Sequence, residues 1–201
     1  IDLLREQADE ILSRPVRGGD GMPEAIRKDL ERQIAEAVAV LTRDYNTLTP
    51  WITLGLARKA LDDYEGAAAA WEFASVIRPQ NSLSFGNLGF LYGSYLKDYP
   101  RAEKNYLRAI ANDLRDVGAY NNLADLYWYS IPEKRAGIPK LLVGGLNENA
   151  DRDHRVSLLA RLALYYRDNK EFAKAVDVME EIVALLPENA AELRAEIDEL
   201  K

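Results

Sequence analysis

The chain carries a single histidine, His154, beside Asp151 and Asp153. An imidazole between carboxylates is the beginning of a metal site. An ion would need further ligands from elsewhere in the chain, and the segment reads as a solvated loop. There is no cysteine, which removes thiol catalysis, Cys-ligated zinc and disulfides. Gly18-Gly19-Asp20-Gly21 precedes a helical pattern, a place where backbone amides can hold an anion. No Lys-Ser or Lys-Thr follows it and no strand precedes it, so Walker-type phosphate chemistry is excluded on pattern and a linker is the better reading. Aspartate and glutamate are abundant, 33 together, but nothing gathers two of them into one pocket. They read as solvated helix surface, not as an acid-base pair. No catalytic residue, no metal site and no cofactor is expected, and the chain is read as a non-enzyme.

The 33 acidic and 26 basic residues leave a net charge of −7, spread evenly along the 201 residues. Without a basic stripe to neutralise phosphates, nucleic acid is not an expected partner, and an anionic membrane surface is not expected either. No apolar run reaches the roughly 18 residues of a membrane span. The chain starts at Ile1 and not at Met, so a removed signal or anchor fits the sequence. The compartment is left open, cytoplasmic or extracytoplasmic.

The elements that must position any site are helices: apolar residues recur at three and four, with no sustained alternation. They also repeat. Segments open at Trp51, Phe85, Tyr120 and Leu159. Leu54, Leu88, Leu123 and Leu162 follow three residues later, each followed by a small residue: Gly55, Gly89, Ala124 and Ala163. Tyr92, Tyr127 and Tyr166 lie three further on, where the first segment has Arg58. A second set of slots holds Ala67, Ala102, Ala136 and Ala175. Four residues after each come Trp71, Tyr106, Lys140 and Met179. The first set of small residues is spaced by 34, 35 and 39 (55 to 89, 89 to 124, 124 to 163). Each unit reads as two antiparallel helices, the Gly or Ala of the first meeting the Ala of the second. Such hairpins must stack to bury their apolar faces. Thr49-Pro50 reads as a helix start, and Pro79 and Pro187 as stops.

The run Trp51-x2-Leu54-Gly55, Ala67-x3-Trp71-x2-Ala74, Pro79 resembles the tetratricopeptide repeat. The resemblance implies an all-α, right-handed superhelix (an α-solenoid) of antiparallel hairpins. The expected organisation is a capping hairpin over 1-47, four units over 48-81, 82-116, 117-155 and 156-189, and a capping helix over 190-201. Two departures stand out. The second unit has one extra residue, Gly89 to Ala102 being 13 where the others have 12, expected in its turn. The third has Pro139 and Gly144-Gly145 inside its second helix. That helix should be short or bent, and Pro139 to Arg155 the weakest stretch of the array.

In the family, the first helix of each unit lines a concave face. By register this face takes Ile52, Leu56 and Lys59, then Gly86, Asn87, Phe90 and Ser94, then Asn121, Asn122, Asp125 and Trp128 with Tyr129 at its edge, and finally Ser157, Arg161, Leu164 and Arg167. Amides, an acid, arginines and aromatics on one face suit a peptide. The expected partner-binding residues are Phe90, Asn121, Asn122, Asp125, Trp128, Arg161 and Arg167. The family's clamp for a C-terminal carboxylate is mostly missing, because Ile52 and Leu56 occupy its Lys and Asn slots. The resemblance therefore implies an interaction scaffold or adaptor binding a protein or peptide. The competing reading is a structural subunit that self-associates through its terminal hairpins.

Overall fold

A computed structural model describes residues 2–200. All regular structure among them is helical, and the chain divides into two compact units, the first ending at Asn112 and the second beginning at Asp113. Short polar side chains start many of the helices. Asp63, Asn81, Asp116 and Asp151 each accept a hydrogen bond from the backbone N–H three residues on. Each thereby satisfies one of the amides that a helix start leaves unpaired.

The first unit holds α1 (Leu3–Leu12), α2 (Glu24–Arg43), α3 (Leu48–Ala60), α4 (Tyr64–Ile77), α5 (Ser82–Leu91) and α6 (Tyr99–Asn112). Consecutive helices from α2 to α6 pack on one another, while α1 rests on both α2 and α4. Trp51 and Phe73 anchor the core with ring centroids 4.6 Å apart, and the Trp51 indole donates to the Tyr45 carbonyl at 2.8 Å. Three details differ from the sequence reading. First, α3 begins at Leu48, so Pro50 is its third residue. Proline is tolerated there because amides of the first turn have no intrahelical acceptor. Second, the group nearest the glycine slot is an aromatic ring. A Cβ on Gly55 would stand 2.2 Å from the Trp71 ring, and one on Gly89 2.6 Å from Tyr106. The missing side chain is filled by the aromatic four residues after the alanine. Third, the extra residue of the second unit is absorbed in helix and not in the turn: Tyr92–Leu96 is a π-helical turn, closed by Lys97 with φ +56.

Arg58, in the tyrosine slot of its repeat, is 1% exposed. Its guanidinium reaches the Asp63 carboxylate and donates to the carbonyls of Arg14 and Pro15. The glycine-rich stretch is tied down beside it. Gly19 donates its N–H to the Leu61 carbonyl at 2.8 Å, and a Cβ on Gly18, at φ +83, would overlap that oxygen. Such positions accept only glycine.

The second unit holds α7 (Val117–Tyr129), a 3-10 segment over Pro132–Gly137, α8 (Ile138–Glu148), α9 (Arg152–Asp168), α10 (Phe172–Leu185) and α11 (Ala190–Leu200). Each helix packs on the next, and α7 also touches α9. Here the slot counting fails in one place. Ala136 lies exposed in the 3-10 segment, and Pro139 sits in the first turn of α8. The residue that fits closely is Gly145, where a Cβ would meet the Tyr120 ring at 3.1 Å. At 11 residues α8 is shorter than the 14 of α10, as the prolines and glycines imply. It is continuous, however, so the interruption precedes Ile138. His154 is not in a loop. It lies in the first turn of α9, which Asp151 caps, and its Nδ1 stands 3.2 Å from the Asn149 amide oxygen.

Candidate functional site

Asn121, Asp125 and Trp128 fall at i, i+4 and i+7 on α7, so they share one face. Ser157, Arg161 and Tyr165, at i, i+4 and i+8, share one face of α9. The two faces meet in three rungs, about one per turn. The Asn121 amide donates to the Ser157 hydroxyl at 2.9 Å. Arg161 donates through Nη1 to an Asp125 carboxylate oxygen. Trp128 and Tyr165 meet edge to face, centroids 5.8 Å apart.

The second and third rungs floor an open cleft, walled by Tyr129, Ile138, Leu164, Arg167 and Asp168. The Asp125 and Arg161 side chains are 35% and 36% exposed. Burial pushes the Asp125 carboxyl above the usual carboxylate range, while the Arg161 guanidinium pulls the other way. Arg135 of the 3-10 segment covers the indole, its guanidinium carbon 5.0 Å from the ring centre and its Nε donating to the Trp128 carbonyl at 2.6 Å. Leu164 and Arg167 also line a second, more apolar cleft with Ala160, Met179, Ile182 and Leu193. The two clefts therefore form one track along α9.

Of the residues expected to bind a partner, Asp125, Trp128, Arg161 and Arg167 come together in the cleft. Asn121 forms the rung beside it, and its amide oxygen is buried without a hydrogen-bond partner. Asn122 is half-buried on α7 and does not line the cleft. Phe90 lies on α5 of the first unit, in a different aromatic group. Tyr165 escaped the sequence reading. The signal for it was present: one turn beyond Arg161, it continues the same stripe. Among the described residues no group of three or more His, Asp or Glu could hold a metal ion, and no helix is long and apolar enough to cross a membrane.

No family model matches the chain. Tetratricopeptide repeat protein 37 of Xenopus laevis is 32% identical over 119 residues, covering 55% of this chain and 7% of that protein. The chain thus spans a small fraction of the relative's length. Among solved structures, YrrB, described as a TPR protein with an unusual peptide-binding site, superposes with a TM-score of 0.54. The match has 14% identity and covers 81% of this chain and 84% of YrrB. The tetratricopeptide resemblance and the all-α hairpin fold are thereby established.

Proposed function

We propose that this tetratricopeptide-type chain is an interaction scaffold, and that the α7–α9 cleft holds an extended segment of a partner protein. The observation that carries this reading is the pair of cross-helix rungs, Asp125–Arg161 and Trp128–Tyr165, beneath one open cleft. The rungs hold Trp128 and Arg161 in fixed orientations before any partner arrives, so less rotamer freedom is lost on binding. Arg161 spends Nη1 on Asp125 and keeps further N–H groups for a ligand carboxylate or carbonyl. The apolar cleft next along α9 suits a hydrophobic side chain of the same segment. YrrB, of the same fold, is a peptide binder. The unit boundaries 48-81, 82-116, 117-155 and 156-189 belong to this reading.

The test is a pull-down with the full chain, repeated with Trp128→Ala and Arg161→Ala, followed by affinity measurement on the partner found. Each substitution should weaken binding by about 2 kcal/mol, roughly thirtyfold, and leave helicity intact. If Lys104→Ala on α6 weakens binding while those two do not, the cleft is not the site. The self-associating alternative draws on Leu3 and Ile26, 70% and 52% exposed on the first two helices. It predicts a mass that rises with concentration in light scattering.

A further inference from the structure

The first helix departs from chain order: α1 rests on α2 and α4, the two helices that flank α3. Ala8, at its middle, is fully buried, and Ile11 and Arg14 line a groove with Ala69, Phe73 and Val76 of α4. Arg5 donates to the Thr42 carbonyl at 2.8 Å, and the Asp2 carboxylate accepts from the Tyr45 hydroxyl at 2.6 Å. The stretch behind α1 is gripped through its backbone. The buried Arg58 guanidinium donates to the carbonyls of Arg14 at 2.9 Å and Pro15 at 3.3 Å, and a charged donor makes the stronger kind of hydrogen bond. Gly18 and Gly19, at φ +83 and +78, close on Leu61, where Gly18 has no room for a side chain. Beyond them the grip ends. Asp20 and Gly21 are exposed, a Cβ on Gly21 would meet nothing within 4 Å, and Pro23 stands before α2. Residues 2–19 are therefore held as a ligand is held, with a glycine hinge behind them.

We infer that residues 2–19 are an exchangeable segment, and that the groove on α2 and α4, with its Arg58 corner, accepts the same segment from a second copy of this chain. The occupant is identified by the one already seated. The groove requires a helix with a small residue at its buried contact, two successive carbonyls at Arg58, and a glycine pair at Leu61. A second copy carries all three at the right spacing. The hinge lets the segment leave while α2 stays in place. Each hydrogen bond lost within one chain is regained between two, so the two arrangements differ mainly in how the segment is linked. A short linker holds the segment near its own groove at an effective concentration in the millimolar range, and the dilute chain stays closed on itself. Reciprocal exchange closes a two-fold dimer, the symmetric assembly that swapping of one element produces. The inference gives the self-associating alternative a specific interface, and it uses nothing of the α7–α9 cleft.

The experiment mixes two full-length variants. Gly18→Ala spoils the segment and leaves the groove vacant. Ala69→Arg obstructs the groove and leaves the segment loose. Neither variant has both a sound segment and a sound groove, so each alone should stay at the monomer mass of 22.6 kDa in light scattering. Their mixture should give a species of roughly twice that mass, in which the segment of the Ala69→Arg chain fills the groove of the Gly18→Ala chain. A chain carrying both substitutions should pair with neither. Circular dichroism confirms that each variant folds; Ala8→Glu replaces Gly18→Ala, and Val76→Arg replaces Ala69→Arg, if either does not. A mixture of folded variants that stays monomeric overturns the inference. So does a doubly substituted chain that still pairs. If each variant alone associates as strongly as the mixture, exchange is again refuted, and the association belongs to the exposed Leu3 and Ile26 of the alternative reading.

Discussion

Gly89 of α5 lies flat against the ring of Tyr106 on α6, so close that a Cβ would stand 2.6 Å from the ring. Hydrogen in place of a side chain lets the two helices approach until the aromatic fills the gap. Gly89→Leu should therefore overpack the hairpin and cost about 1–3 kcal/mol or more. Gly144 of α8 is the contrast, since a Cβ there meets nothing within 4 Å. Gly144→Ala should raise stability by about 0.5–1 kcal/mol through helix propensity alone. Thermal melts of the two variants test both statements, and equal shifts in one direction would refute the packing argument.

A second prediction concerns Arg58 and Asp63, a buried ion pair with 1% and 5% side-chain exposure. Removing one partner strands the other, and Arg58 also holds the carbonyls of Arg14 and Pro15. Arg58→Met keeps volume and removes charge. It should cost about 3–5 kcal/mol and release the glycine-rich stretch. Amide exchange at Gly19, whose N–H bonds to Leu61, should accelerate more than global destabilisation explains. Unchanged protection at Gly19 would show that the stretch is held by its glycines and not by Arg58.

What the sequence made legible follows from packing. Gly55 and Gly89 are small because the Trp71 and Tyr106 rings take the place of their side chains. Steric need of this kind leaves its mark at a fixed period. The π turn left no such mark, since an extra residue between Gly89 and Ala102 can be taken up by loop or helix with the same composition. Ala136 misled because counting 12 residues from Ala124 assumes a short turn straight into the next helix. Pro132 instead opens a 3-10 segment. The Asp125–Arg161 rung was half legible. Register put both residues on one face, but the rotation of α7 against α9 decides whether they touch. Arg58 stood out only as an exception to the tyrosine slot, and its reason, the carbonyls of Arg14 and Pro15, lies more than 40 residues away in the chain.

The interruption in the second unit sets a third prediction. Residues 132–137 are all exposed, while the stretch after them is tied: the Asn149 amide donates to the Gly145 carbonyl at 2.9 Å and Arg155 to that of Leu146 at 3.0 Å. Limited trypsin digestion should cut after Lys134 or Arg135 before any other site beyond Asp113. First cuts after Lys140, Arg152 or Arg155 would restore the expectation that Pro139 to Arg155 is the weakest part.

The last prediction is a pH dependence. Burial and a 2.5 Å hydrogen bond from its hydroxyl to Glu72 raise the Tyr92 phenol to about 12. Its hydrogen bond to Asp62, then burial, raises Tyr64 to about 12 as well. An unfolded phenol ionises near 10. Between these values the unfolded chain has released protons that the native chain still holds. The native state then binds more protons, so stability must fall as pH rises from about 10 towards 12. Below about 10 both states are protonated and these two groups contribute no slope. Denaturant midpoints across that range should decline, and Tyr92→Phe should flatten part of the decline because its phenol can no longer ionise in either state. Tyrosinate absorbance provides an independent reading: at least two fewer phenols should titrate near 10 in the folded chain than in denaturant, because burial also raises Tyr120 and Tyr165 and the Asp2 carboxylate raises Tyr45. A slope left unchanged by Tyr92→Phe, together with all phenols titrating near 10 in the folded chain, would mean that Glu72 does not hold the Tyr92 proton in solution.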